Sequence, residues 1–356
     1  MLLSNDTPFA ALGFGDLHRD GMTMAVVAVR AAYNLGADGA LQLTNRQEMV
    51  LNDIFEGDPQ RTVLIQVGDL IPFKPGVDIT VVGAAHAPAG RPVSSWDVGI
   101  AVGDHKARLR VHGPRQWEPT LRLLKPTWRL GQASRAVTVP LDYRFAAGGR
   151  YAGDPDGNAD LRNPIGPGLL HPDWTPAGRA LRAPQIESID APIAEPFETT
   201  VPRGFAPLPP WWRDRQGFAG TYDEDWRRER HPRLPEDFDY RFYQTAHPSL
   251  VVSALRGNEI VQLDRLTPNE KVTFALPDLT PVIDHRWFDG RSTRARLKLD
   301  GLHLDLRVEP WRVDLTWRGW IEQCPAYEGG YLSLASAADV ADLPSSGEFG
   351  LEEAMT

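Results

Sequence analysis

Lys74 and Asp78 lie four residues apart in the stretch Asp-Leu-Ile-Pro-Phe-Lys-Pro-Gly-Val-Asp-Ile-Thr-Val-Val-Gly, residues 69–83. A lysine beside a carboxylate in a desolvated pocket can act as a base or a Schiff-base nucleophile, because burial lowers the ammonium pKa. The same two residues can equally tie a chain bend down as an ion pair, with the lysine stem laid over Phe73. The ion pair is the favoured reading, since no second acid, nucleophile or glycine loop accompanies the pair. Nine histidines are scattered without a short ligand spacing, and Cys324 is the only cysteine, so no metal or cofactor is expected. Asp154, Asp156, Asn158 and Asp160 alternate like the opening of a calcium loop. Ala159 replaces the required glycine, however, and Ile165 stands where the closing glutamate belongs, which makes an ordinary polar turn the better reading.

Binding chemistry is more visible than catalytic chemistry. Trp211, Trp212, Arg213, Arg215 and Trp226 gather aromatic and guanidinium groups in a stretch without strand or helix periodicity, the residue types that dominate protein-binding hot spots. The alternative is that these tryptophans pin the surrounding segment onto a sheet, with arginines stacked over them. Residues 211–233 hold six arginines against five acids, a balance with little pull on phosphate, so nucleic acid is not expected as a partner.

The elements that must position these residues are mostly strands. At 356 residues the chain can bury a large core, and its 31 prolines and 32 glycines favour turns over long helices. Val77–Val82 reads as a buried strand entered through a rigid elbow, in which Pro72 and Pro75 fix φ and Gly76 allows the turn. Leu302, Leu304, Leu306 and Val308 alternate with polar residues, a two-residue period. Twelve prolines fall between Pro155 and Pro210, where no period survives. These signals predict a mainly β protein: two strand-rich lobes of antiparallel sheets, sandwich- or barrel-like, over residues 1–145 and 246–323. A proline- and tryptophan-rich segment over 146–245, with one or two short helices, would bridge them. The first helix is expected from a capping box at Thr221 and Glu224. Gly13-Phe14-Gly15 reads as a turn. Residues 324–356 carry six acids and no Lys or Arg, and a disordered tail is expected there. The net charge of −9, the lack of an apolar leader and the absence of a spanning apolar run predict a cytoplasmic protein without membrane insertion.

Several separated motifs occur in order. They are Phe73-Lys74-Pro75 with Asp78 and Gly83; Gly148-Gly149; Asn163-Pro164 with Gly166; and Pro184-Gln185 with Glu187. Together they resemble the bacterial family catalogued as domain of unknown function 2169, DUF2169, over Met1 to about Gln323 treated as a single domain. The run Phe145-Ala146-Ala147 departs from the more aromatic and charged sequence expected before the glycine pair. Members accompany type VI secretion systems. The resemblance therefore implies a cytoplasmic adaptor or chaperone that binds an effector toxin and loads it onto the spike or spike-tip protein. The motif residues are expected to be structural, with no catalytic residue among them. Two other classes stay open: a carbohydrate-binding β-sandwich, and an enzyme with a dispersed acid/base pair around Lys74 and Asp78.

Overall fold

The structure is a computed structural model that describes residues 2–122, 125–154, 156–171, 180–198, 200–336, 339–340 and 342–347. Its longer strands begin with β1 (Leu2–Asn5), β2 (Ala10–Leu17), β3 (Thr23–Leu35), β4 (Val77–Val82), β5 (Ser95–Val102) and β6 (His105–His112). They resume with β7 (Ile260–Asp264), β8 (Lys271–Ala275), β9 (Thr280–Trp287), β10 (Ser292–Arg296), β11 (Lys298–Asp305), β12 (Trp311–Glu322) and β13 (Tyr327–Ala335). The helices α1 (Arg213–Gln216) and α2 (Glu224–Glu229) are short.

The mainly β class is as expected, but its strands do not divide into an N-terminal and a C-terminal lobe. The largest sheet runs Val251–Val252, β4, β11, β12, β3, β2, with Leu41–Leu43 added to β3, and so mixes both ends of the chain. A five-stranded sheet orders Ile186–Glu187, β6, β5, β7 and β8, and a four-stranded one orders β1, β13, β9 and β10. No sheet closes into a barrel among the described residues. Long-range pairing overrides the order of segments, because each half of the chain supplies the hydrogen-bonding neighbour that the other half lacks.

Alternation explains the core. Ile79 and Val81 of β4, Leu302 and Leu304 of β11, Val313 and Leu315 of β12, and Val27 and Val29 of β3 share one cluster with Val98 and Ile100 of β5, Leu109 of β6 and Leu263 of β7. One face of the large sheet therefore packs on the five-stranded sheet as a sandwich, with alternate side chains of each strand entering the shared layer.

Local chemistry sets the turns. Gly103-Asp104 joins β5 to β6, with Val102 opposite His105 and Gly103 at φ +56°, a conformation glycine adopts without strain. Gly13-Phe14-Gly15 is not a turn. It lies within β2, where glycine is required because a Cβ on Gly13 would stand 2.6 Å from the Leu2 nitrogen as β1 crosses. The α2 cap is Asp223, which accepts the Trp226 N–H, while the Thr221 hydroxyl donates to Asp237 instead. The expected disordered tail is also corrected. β13 pairs with β9 and lies parallel to β1, burying Leu332 completely. Residues 337–338, 341 and 348–356 of that expected tail lie outside the described residues. No helix among the described residues is long and apolar enough to cross a membrane.

Candidate functional site

The second face of the large sheet is polar, and it too is covered. Asp78 and Thr80 of β4, His303 of β11, Asp314, Thr316 and Arg318 of β12, and Arg30 of β3 stand on this face, in register across the strands. Over them lie Gln66–Asp69, the Phe73–Gly76 elbow and Gln244-Thr245, so Arg30, Asp69, Lys74, Asp78, Asp314 and Arg318 are all buried. The residues between these layers line a partly open cavity of about 40 Å³. At roughly 10–15 Å³ per water, it holds about three waters.

Lys74 Nζ donates to Asp78 at 2.6 Å. Asp78 also accepts from the Gln244 side chain at 2.5 Å, from the Thr245 N–H at 2.7 Å and from the Thr245 hydroxyl at 2.9 Å. Burial pushes the Asp78 pKa up, but the Lys74 charge and the bonds from Lys74 and Thr245 outweigh it and hold the carboxyl below its ordinary range. Arg30 bridges Asp69 at 3.1 Å and Asp314 at 2.7 Å. Arg318 reaches the Asp69 carbonyl and makes a short contact with Asp300, whose carboxyl burial lifts above the usual carboxylate range. Asp300 sits at the β11 irregularity between Leu299 and Gly301, and its Oδ2 has no protein partner, nor does Arg30 Nε. The arrangement clamps three covering segments to the sheet. Lys74 and Asp78 are joined to each other, and Asp78 to Gln244 and Thr245 of the wrap.

The remaining motif residues build a second tie. Gly148 (φ +127°) and Gly149 (φ +101°) run against Asn163 and Gly166, and a Cβ on Gly166 would stand 2.4 Å from the Gly148 carbonyl carbon. The buried Asn163 amide donates to the Tyr143 and Ala147 carbonyls, both at 2.8 Å. Pro164 follows in the same tight passage. Gln185 donates to the His112 carbonyl at 3.0 Å, and the Pro184 carbonyl accepts from Arg115 at 2.5 Å. Glu187, near Arg115 (2.7 Å) and His112 (2.8 Å), is desolvated, yet those bonds bring its pKa down to about 2. Gly83 lies against Leu306, and Phe73 meets Tyr240 at a tilt, ring centres 4.3 Å apart.

The Trp/Arg group divides. Trp212 is 1 % exposed and meets Tyr143 edge-on at 5.0 Å, and Arg215 is buried, donating to the Leu208 and Phe242 carbonyls. Neither can form a contact surface, a correction that follows from α1 turning these two side chains into the core. Burial also lowers the Arg215 pKa to about 10. Trp226 packs between Tyr222 and His231 and donates its indole N–H to the Arg233 carbonyl at 2.8 Å, apart from the others. Trp211 is 40 % exposed and stacks on Phe55 at 5.2 Å. The exposed Arg213 donates its N–H to the Leu161 carbonyl at 2.9 Å, which places the exposed Leu161 beside it.

A family model described as "Uncharacterized protein conserved in bacteria (DUF2169)" matches residues 20–318. The chain belongs to this family. Searches of curated proteins and of solved structures returned no match. The DUF2169 span holds both ties described above, while all of β1, β2 and β13 lie outside it.

Sequence reasoning found the Lys74–Asp78 half of the ion array and missed Arg30, Asp69, Asp300, Asp314 and Arg318. One signal was present: Arg30 is a charge inside the mostly apolar run Met24–Tyr33. Phe55 carried no signal, because only the fold brings it against Trp211. Asp154 accepts from the Asp156 and Asn158 N–H groups, each at 3.0 Å, and so closes a polar turn; Pro155 lies outside the described residues. Among the described residues no three His, Cys, Asp or Glu side chains are grouped to hold a metal ion.

Proposed function

We propose that this DUF2169 chain is a cytoplasmic, non-enzymatic adaptor or chaperone that captures an effector toxin of a type VI secretion system and presents it to the spike or spike-tip protein. The observation that carries the binding role is the exposed Trp211 ring stacked on Phe55. A rigid aromatic anchor on a supported platform is the usual centre of a protein-binding hot spot. The platform is fixed beforehand: Arg144 joins Glu56, next to Phe55, to Asp142, so little ordering cost falls on binding. The ion pairing of Lys74 with Asp78 supports the non-enzymatic part, since each of these two charges is held by the other. The secretion role rests on the family resemblance.

The test is co-purification from the native bacterium with tagged wild-type protein and Trp211→Ala. A secretion effector or spike component should accompany the wild type, and Trp211→Ala should reduce its capture about tenfold or more at an unchanged melting temperature. Equal capture by the variant removes the Trp211 surface; absence of any secretion component removes the adaptor role.

A further inference from the structure

β2 is the outer strand of the large sheet, bonded to β3 alone. β1 crosses its first half at Gly13, and the second half borders an open groove of about 390 Å³ lined by Gly15, Asp16, Leu17, Pro232, Leu234 and Tyr243, among others. In an antiparallel pair, successive residues turn their backbone groups alternately toward and away from the partner strand. His18 N–H donates to the Met22 carbonyl at 2.8 Å, which fixes the phase: Asp16 and His18 bond toward β3, while Gly15 and Leu17 turn outward. The outward Leu17 N–H is taken by Asp16 Oδ1 at 2.7 Å. The Gly15 N–H and the Gly15 and Leu17 carbonyls face the groove, and Gly15 leaves room for a second backbone to approach.

We propose that this groove binds an extended segment of a partner polypeptide, which adds to the free half of β2 and places a Lys or Arg side chain on Asp16. The charge argues for the basic residue. Asp16 is half-buried, burial raises its pKa, and only the Leu17 N–H opposes that rise, with no cation contributing. The chain's own end is a poor occupant, because residues 325–356 contain no Lys or Arg. Pro232, Leu234 and Tyr243 supply an apolar wall for the residue flanking the basic one, and main-chain bonding with alternate side-chain pockets is the general logic of strand addition.

The test is selection of a phage-displayed random dodecapeptide library on the immobilised full chain, followed by fluorescence anisotropy with the peptides recovered. The expected result is β-branched sequences with a single Lys or Arg. Their affinity should fall about tenfold on Asp16→Asn, which keeps the bond to Leu17, the scale of one lost hydrogen bond to a charged group. Gly15→Pro removes an outward donor without touching the β3 ladder and should abolish binding. Asp16→Lys should shift selection toward acidic peptides. Recovery of no peptide, of peptides lacking a basic residue, or of binding indifferent to Asp16→Asn and Gly15→Pro overturns the proposal. Trp211→Ala should leave peptide affinity unchanged, so the two surfaces succeed or fail separately.

Discussion

Asp78 accepts hydrogen bonds from Lys74, Gln244 and Thr245 while itself buried, and this decides how its neighbours respond to change. A buried pair adds little net stability over an apolar replacement, but removing one partner strands a charge and costs about 3–5 kcal/mol. Lys74→Met should therefore lower the unfolding free energy by that amount, read from urea midpoints. Adding Asp78→Asn should recover part of the loss, because the stranded charge is gone. A Lys74→Met variant as stable as the wild type would mean that Asp78 needs no counter-charge. The Lys74–Asp78 pair was legible because its members lie four positions apart, one in the elbow and one in the strand that follows it. Its five companions come from distant segments, as with Arg30 and Asp314, which pair across 284 residues. In a two-residue period a polar position facing water and one facing a second covered layer look alike.

At the scale of elements, alternation was readable wherever a strand has one face in the core, as in β5, β6 and β11. It failed where composition masks it. β13 reads Tyr-Glu-Gly-Gly-Tyr-Leu-Ser-Leu-Ala, small and acidic enough to pass for a tail, yet it buries Leu332 completely and is the hydrogen-bonded neighbour of β1. Gly330 shows why the small residues are there: a Cβ on it would stand 2.4 Å from Ile283 Cδ1 of β9. Leu332→Ala should therefore cost about 2–5 kcal/mol, the range for truncating a buried leucine. Thermal unfolding monitored by circular dichroism measures it. A melting temperature equal to the wild type would mean that β13 does not pack as described.

For the whole molecule, interleaved strands make one cooperative unit of what the sequence order divides in two. β4 and β11 lie side by side in one sheet although their sequences are more than two hundred residues apart, so neither half can unfold alone. The same burial sets the pH response. His247 and His285 are buried, and burial lowers both pKa values to about 4 from an ordinary 6.5, with Arg203 adding to the effect at His247. Between those values the unfolded chain binds protons that the folded chain refuses, so stability is full above pH 6.5 and falls as the pH drops toward 4. At pH 5 each histidine costs about 2 kcal/mol, from about 1.4 kcal/mol per pKa unit. His86, also lowered by burial, acts in the same direction. The depressed carboxyls Asp78 and Glu187 contribute stability that is lost only as the pH falls below their unfolded values near 4, whereas the raised Asp300 carboxyl binds its proton more readily in the folded chain and opposes the histidines. Urea midpoints at pH 7 and pH 5 should therefore differ in a single transition. The variant His247→Gln/His285→Gln should be less stable at pH 7 but lose less on going to pH 5. Equal wild-type midpoints at the two pH values would mean that both imidazoles accept protons without unfolding, and that the packing around them yields to charge.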